Sequence, residues 1–177
     1  DKYTGEWKDD MMHGKGIYEF KNGDKYEGEY SVGERTGQGI FIYADKRKYI
    51  GQFKNGLMNG FGAYSWPDGS KYEGYWTDDK QNGRGKFISS TGDSYDGEWT
   101  NGMMNGEGVL RLADGTKFKG FFKNGLRHGK CIEESKEGVR FEGTYKEDKR
   151  DGAYTERDKD GNIIRQGFYK NGYLESK

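Results

Sequence analysis

Residues 72–85 read Tyr72-Glu73-Gly74-Tyr75-Trp76-Thr77-Asp78-Asp79-Lys80-Gln81-Asn82-Gly83-Arg84-Gly85. Tyr72, Gly74 and Trp76 alternate with polar residues, so all three share one face of an extended strand. A polar turn follows, and a Gly-x-Gly pair opens a second strand. The arrangement returns 23 residues to either side. Its leading aromatic recurs as Tyr3, Tyr26, Tyr49, Tyr72, Tyr95, Phe118 and Phe141, with glycine two residues later each time. A second aromatic stands two residues further on, from Trp7, Tyr30 and Phe53 through Trp76 and Trp99 to Phe122 and Tyr145. A fixed period of this length marks a repeat architecture.

Each period reads as one β-hairpin. Turn signals such as Asn55-Gly56 and Asn101-Gly102 join its strands, and Asn22-Gly23, Asp68-Gly69 or Asp114-Gly115 lead to the next hairpin. The expected fold is all-β: an elongated, twisted, single-layer antiparallel meander with no helix longer than two turns. Two strands per repeat, about 4.8 Å apart, give a rise of about 10 Å per repeat. Glycine weakens a strand interior, so its fixed place needs compensation. A ring lying flat over a neighbouring strand's glycine supplies it.

Composition agrees. There are 31 glycines and one proline, and aromatics make up 16% of the chain within a hydrophobic total of 31%. Aliphatics are too scarce for the thick core of a large α/β enzyme. Thirty basic and thirty acidic residues leave no net charge, so no nucleic-acid partner is expected. No apolar run approaches the roughly 18 residues that cross a bilayer. The single cysteine, Cys131, excludes an intramolecular disulfide framework and fits a reducing, cytoplasmic compartment.

The segments Tyr26-Glu27-Gly28-Glu29-Tyr30, Tyr72-Glu73-Gly74-Tyr75-Trp76 and Tyr95-Asp96-Gly97-Glu98-Trp99, each followed by a Gly-x-Gly pair, resemble the MORN repeat family (membrane occupation and recognition nexus). The resemblance covers nearly the whole chain. It implies regular repeats over 1–151 and a divergent MORN-like unit over 152–177 in the same continuous sheet. In the later repeats Cys131 and Tyr154 replace the second glycine of the pair. The chain opens in mid-repeat without Met, and is expected to be part of a longer protein. The resemblance implies a non-catalytic scaffold or adaptor in a cytoskeletal or ciliary assembly. The alternative is a targeting or phospholipid-associating segment of a larger enzyme or membrane-junction protein.

The second strands carry a stripe that reads Tyr18/Phe20, Phe41/Tyr43, Tyr64/Trp66, Phe87/Ser89 and Leu110/Leu112, then Glu133/Ser135 and Glu156/Asp158. An extended or helical peptide is expected to lie along it, against Tyr18, Phe20, Tyr43, Tyr64 and Trp66, with Trp76 and Trp99 as walls. Self-association into a homodimer is expected through Phe141, Tyr145, Phe168 and Tyr169 in the divergent end. Lys117, Lys119, Lys123, Arg127 and Lys130 form a candidate patch for anionic phospholipid, although Glu133, Glu134 and Glu137 follow at once. The remaining face alternates lysine and acid and reads as solvated, with exceptions at Ile50 and Phe121.

No catalytic residue, metal or cofactor is expected. His13 and His128 stand five repeats apart, about 50 Å at this rise. The run Glu156–Ile163 opens like a calcium loop, but Gly167 stands where such a loop needs a bidentate acid. Gly-x-Gly pairs without a following helix or Gly-Lys-Ser/Thr ending are not phosphate loops.

Overall fold

A computed structural model describes residues 1–175. Residues 176–177, the end of the expected divergent unit, lie outside the described residues. The described residues form strands and turns with no helix. Contacts divide the chain into two units, Asp1–Ser90 and Thr91–Lys177.

The first unit comprises β1 (Lys2–Lys8), β2 (Met11–Glu19), β3 (Lys25–Ser31), β4 (Glu34–Ile42), β5 (Lys48–Lys54), β6 (Leu57–Ser65), β7 (Lys71–Thr77) and β8 (Lys80–Ile88). Each strand pairs antiparallel with the next. The expected hairpin meander is therefore present. The register aligns the glycines into one ladder: Gly5, Gly16, Gly28, Gly39, Gly51, Gly62, Gly74 and Gly85 are successive partners.

Tyrosine rings cover that ladder. A Cβ on Gly39 would lie 2.5 Å from Tyr26, and one on Gly62 or Gly85 would meet Tyr49 or Tyr72 equally closely. Only hydrogen fits there. Tyr26, Tyr49 and Tyr72 are fully buried in consequence. Their hydroxyls donate to the backbone oxygens of Glu29 (3.1 Å), Gln52 (2.9 Å) and Tyr75 (3.1 Å).

Those oxygens sit at a bulge. Gly28 faces Gly39, but the next residue, Glu29, faces Thr36, so β4 holds two extra residues. First strands are accordingly seven residues long and second strands nine. The first glycine of the Gly-x-Gly pair turns the bulge at positive φ, +55° at Gly37 and +98° at Gly60, which a side chain resists. The bulge amide is satisfied from across the pair: Lys15, Gln38 and Phe61 N–H donate to the side chains of Glu6, Glu29 and Gln52.

The second unit comprises β9 (Ser94–Thr100), β10 (Met103–Arg111), β11 (Lys117–Lys123), β12 (Leu126–Glu134), β13 (Arg140–Lys146), β14 (Lys149–Arg150), β15 (Gly152–Arg157), β16 (Ile163–Lys170) and β17 (Tyr173–Leu174). It is also an antiparallel meander, with β13 pairing both β14 and β15 across a break at Asp151. Its ladder runs Gly97, Gly108, Gly120, Cys131, Gly143. Larger residues enter it where the covering ring has lost its hydroxyl: Cys131 beside Phe118, and Tyr154 stacked on Phe141 with centroids 5.5 Å apart.

The outer turns are tied to one another. The Asp1 carboxylate accepts from Lys21 N–H (2.7 Å), Asp24 from Ala44 (2.8 Å), the Ser70 hydroxyl from Ser90 (3.1 Å) and Asp93 from Ala113 (2.8 Å). Each bond spans 20 residues. The run 156–163 is another turn of this series. Its Asp158 carboxylate accepts the Asn162 side-chain amide and then the backbone N–H groups of Asn162 and Asp160, which holds it below the usual carboxylate range.

Candidate functional site

In the first unit the aromatic face is continuous. Tyr3, Tyr18, Tyr26, Phe41, Tyr49, Tyr64, Tyr72 and Phe87 are successive cross-strand partners. Phe20, Tyr43 and Trp66 form a second row, each one residue past the end of β2, β4 and β6. The pairs repeat one geometry: Tyr18–Phe20 at 4.5 Å and 47°, Phe41–Tyr43 at 4.5 Å and 48°, Tyr64–Trp66 at 4.6 Å and 48°. Tilted contacts of 5.7–6.0 Å link Phe20 to Phe41 and Tyr43 to Tyr64. Trp66 meets Phe87 edge-on at 5.9 Å, and there the second row stops at Ser89.

Exposure separates the residues singled out in the sequence. Tyr18, Phe20, Tyr43 and Trp66 are half-buried. Tyr64 and Trp76 are buried, Trp76 donating its indole N–H to Gly62 O at 3.2 Å. In the second unit Trp99 is buried against Tyr95. The Tyr43 hydroxyl is pushed up to about 12, chiefly by burial and then by the neighbouring Tyr64. It therefore stays a protonated donor at neutral pH.

In the second unit the ring face changes character. Glu133 and Glu156 replace rings in the leading row, and arginines answer them. Arg150 lies 3.9 Å above the Phe141 ring, pairs with Glu133 at 3.3 Å and Glu156 at 3.7 Å, and meets the Tyr145 and Tyr169 hydroxyls. Arg127 lies over Tyr145 at 4.6 Å and pairs with Asp148 at 2.9 Å. The Tyr145 hydroxyl donates to Glu133 and is pushed up to about 12, first by burial and then by that carboxylate. Phe141 and Tyr145 are buried beneath this network, Tyr169 is half-buried, and Phe168 points to the other face and is 43% exposed.

The basic stretch divides between faces. Arg127 belongs to the ring face, whereas Lys117, Lys119, Lys123 and Lys130 are exposed on the other. Burial raises the Cys131 thiol to about 12, so it is not a poised nucleophile. Among the described residues no three His, Cys, Asp or Glu side chains gather as metal ligands.

Two features escaped the sequence reading. One is the arginine column, which shares a repeat position with Met12, Met58 and Met104; Arg35 in it lies 5.0 Å over Phe41 and donates to Gly56 O at 2.5 Å. The 23-residue register was the available signal. The other is a concavity of about 560 Å³ on the opposite face, where Ile17, Glu27, Ile40 and Ile50 are successive cross-strand partners. The charge ladder obscured that aliphatic row.

The model of the MORN repeat family matches residues 3–25, 26–46, 49–71, 72–94, 95–117, 118–140 and 141–153. No curated protein matches the chain. Among solved structures, the fold is similar to the SAS-4 TCP domain of Drosophila melanogaster in complex with a proline-rich motif of Ana2. That match has a TM-score of 0.56 at 10% identity, over 93% of this chain and 85% of that one. The TCP10c domain of Drosophila melanogaster Sas-4 gives 0.52 at 10% identity, over 93% of both chains. The G-box domain of the microcephaly protein CPAP gives 0.51 at 14% identity, over 88% of this chain and 87% of that one. At these identities the likeness is one of fold.

Proposed function

The chain belongs to the MORN repeat family, and from that premise we propose that it is a non-catalytic scaffold of cytoskeletal assemblies, binding a polypeptide partner along the aromatic lane of its first unit. The observation that carries this reading is the partial exposure of Tyr18, Phe20, Tyr43 and Trp66, beside rings such as Tyr26, Phe41 and Tyr64 that are themselves buried. A rigid sheet holds these side chains, so little rotamer freedom is left to lose on binding. Half-open aromatics on a fixed base are the side chains that dominate interface energies. The SAS-4 TCP domain, a sheet of similar fold, is solved with a peptide bound. The lane of this chain offers a surface for such a segment.

Panning a random peptide display library against the chain tests the proposal. Trp66→Ala is expected to weaken the selected binders by about 2 kcal/mol, the hot-spot scale, while the far-UV spectrum stays that of a sheet. Binders indifferent to Trp66→Ala but abolished by Lys119→Glu with Lys123→Glu would overturn it in favour of the basic face.

A further inference from the structure

We infer that the segment this lane takes is an uncharged polyproline II helix with a proline at every third residue, crossing the strands so that successive prolines meet successive ring pairs. The inference rests on the scaffold reading above and specifies its ligand.

The first argument is repetition. Tyr18–Phe20, Phe41–Tyr43 and Tyr64–Trp66 repeat one ring-on-ring geometry three times, with centroids 4.5–4.6 Å apart and planes 47–48° apart, and the outer ring of each pair, Phe20, Tyr43 or Trp66, is half-exposed. A ligand that satisfies all three must itself repeat at their spacing. Two strand spacings set that at about 9.6 Å. A polyproline II helix repeats every three residues, about 9.3 Å. An α-helix brings a residue back to one face after seven, about 10.5 Å. Over the two steps between three pairs, the mismatch is about 0.6 Å for polyproline II and about 1.8 Å for the α-helix. The first leaves a proline ring in place, whereas the second carries a side chain off its aromatic partner.

Charge makes the second argument. The turns beside the lane hold Lys21, Lys46 and Arg47 against Asp24, Asp45 and Asp68, three of each sign. All three carboxylates are engaged by turn amides. Arg47 is paired with Asp45 at 2.7 Å and lies 4.6 Å over the Tyr43 ring. A neutral ligand matches a neutral lane. Proline-rich chain also has carbonyls in excess of N–H groups. The tyrosines and the tryptophan of the lane are side chains of the donor type that such carbonyls take. Aromatic-lined surfaces recognise preformed polyproline II helices in this way, at low ordering cost.

Calorimetry on the full chain with three synthetic, uncharged peptides of equal length decides the matter. One has proline at every third residue, one has the same composition with proline at every fourth, and one replaces the prolines by alanine. The first is expected to bind, the second at least tenfold more weakly, and the third not measurably. Tyr43→Ala and Trp66→Ala should each weaken the first by at least tenfold, and added salt should change little. Equal affinity for the first two peptides overturns the inference. So does retention of the first by both variants, or a dimer of the chain that Trp66→Ala dissolves. If the alanine peptide binds through Trp66 and the periodic one does not, the inference fails while the scaffold reading stands. If neither these peptides nor the display library yields a Trp66-dependent binder, both fail.

Discussion

Tyr26 and Gly39 occupy the same space by division: the ring fills the volume that a side chain on Gly39 would need, and a Cβ there would lie 2.5 Å from the ring and hydroxyl. Gly39→Ala is therefore expected to lower stability by about 2 kcal/mol, within the range for overpacking a fixed core. Adding Tyr26→Phe should recover part of it, because the sixth repeat pairs Phe118 with Cys131 at the same two places. Urea unfolding of both variants measures the coupling. Additive effects would show that ring and glycine are independent.

Tyr49 ties its ring to the bulge by donating to Gln52 O at 2.9 Å. Tyr49→Phe should leave the sheet intact and cost about 1 kcal/mol, the net worth of one such bond. Denaturant midpoints at unchanged slope provide the check. A loss several times larger would mean that the hydroxyl organises the bulge itself.

The alkaline limb of stability follows from the same rings. Tyr26, Tyr95 and Tyr145 are each pushed up to about 12 from 10.0, with burial the largest cause. A folded value above the unfolded one means that the folded state holds its proton longer. Stability should be level up to about pH 10 and fall as pH rises from there through 12. Phenolate absorbance and far-UV signal should change together across that window. Ionisation of these tyrosines near pH 10 with the sheet intact would contradict the burial assigned to them.

Arg150 is the hub of the second unit's ring face, holding Glu133 and Glu156 while covering Phe141. Arg150→Met should cost about 2 kcal/mol, since it strands carboxylates in a half-buried site. Adding Glu133→Leu should restore part of that loss, because it removes one of the two stranded carboxylates, and the equivalent pair two repeats earlier, Met104 and Phe87, is apolar. Failure of the second change to help would place the effect in lost packing.

The hairpin meander was legible because the same three-residue alternation returns every 23 residues, leaving the strand pattern no other reading. The stacking of rings on glycines followed from asking what a single-layer sheet does without side chains in its middle row. The bulge was not legible. Gly37 announces only a free φ, and nothing in its neighbours says that two residues are inserted there. Nor was the fate of the stripe at Glu133 and Glu156, which read as a loss of apolar cover. Their partner Arg150 lies on another strand and Arg127 six residues before Glu133, in a column where earlier repeats put methionine, glutamine and once, at Arg35, arginine. Of the lane residues, Tyr64 and Trp76 looked as open as Trp66, since alternation assigns a face and says nothing of how deeply a ring is overlaid by the next repeat.

The bonds between outer turns act as clasps, each repeat fastening the one 20 residues ahead. Within the first unit one clasp of this series is missing. The position that would supply the acceptor is Arg47, and the amide it would fasten belongs to Pro67, the only proline in the chain, which has no N–H to offer. Hook and eye are absent together, so nothing is left unsatisfied at that margin. The same pairing leaves a seam across the third hairpin, between the turns that precede β5 and follow β6. Along a molecule whose neighbours alone hold each segment, a seam is where the fabric opens first under tension, while the stitched repeats on either side stay closed.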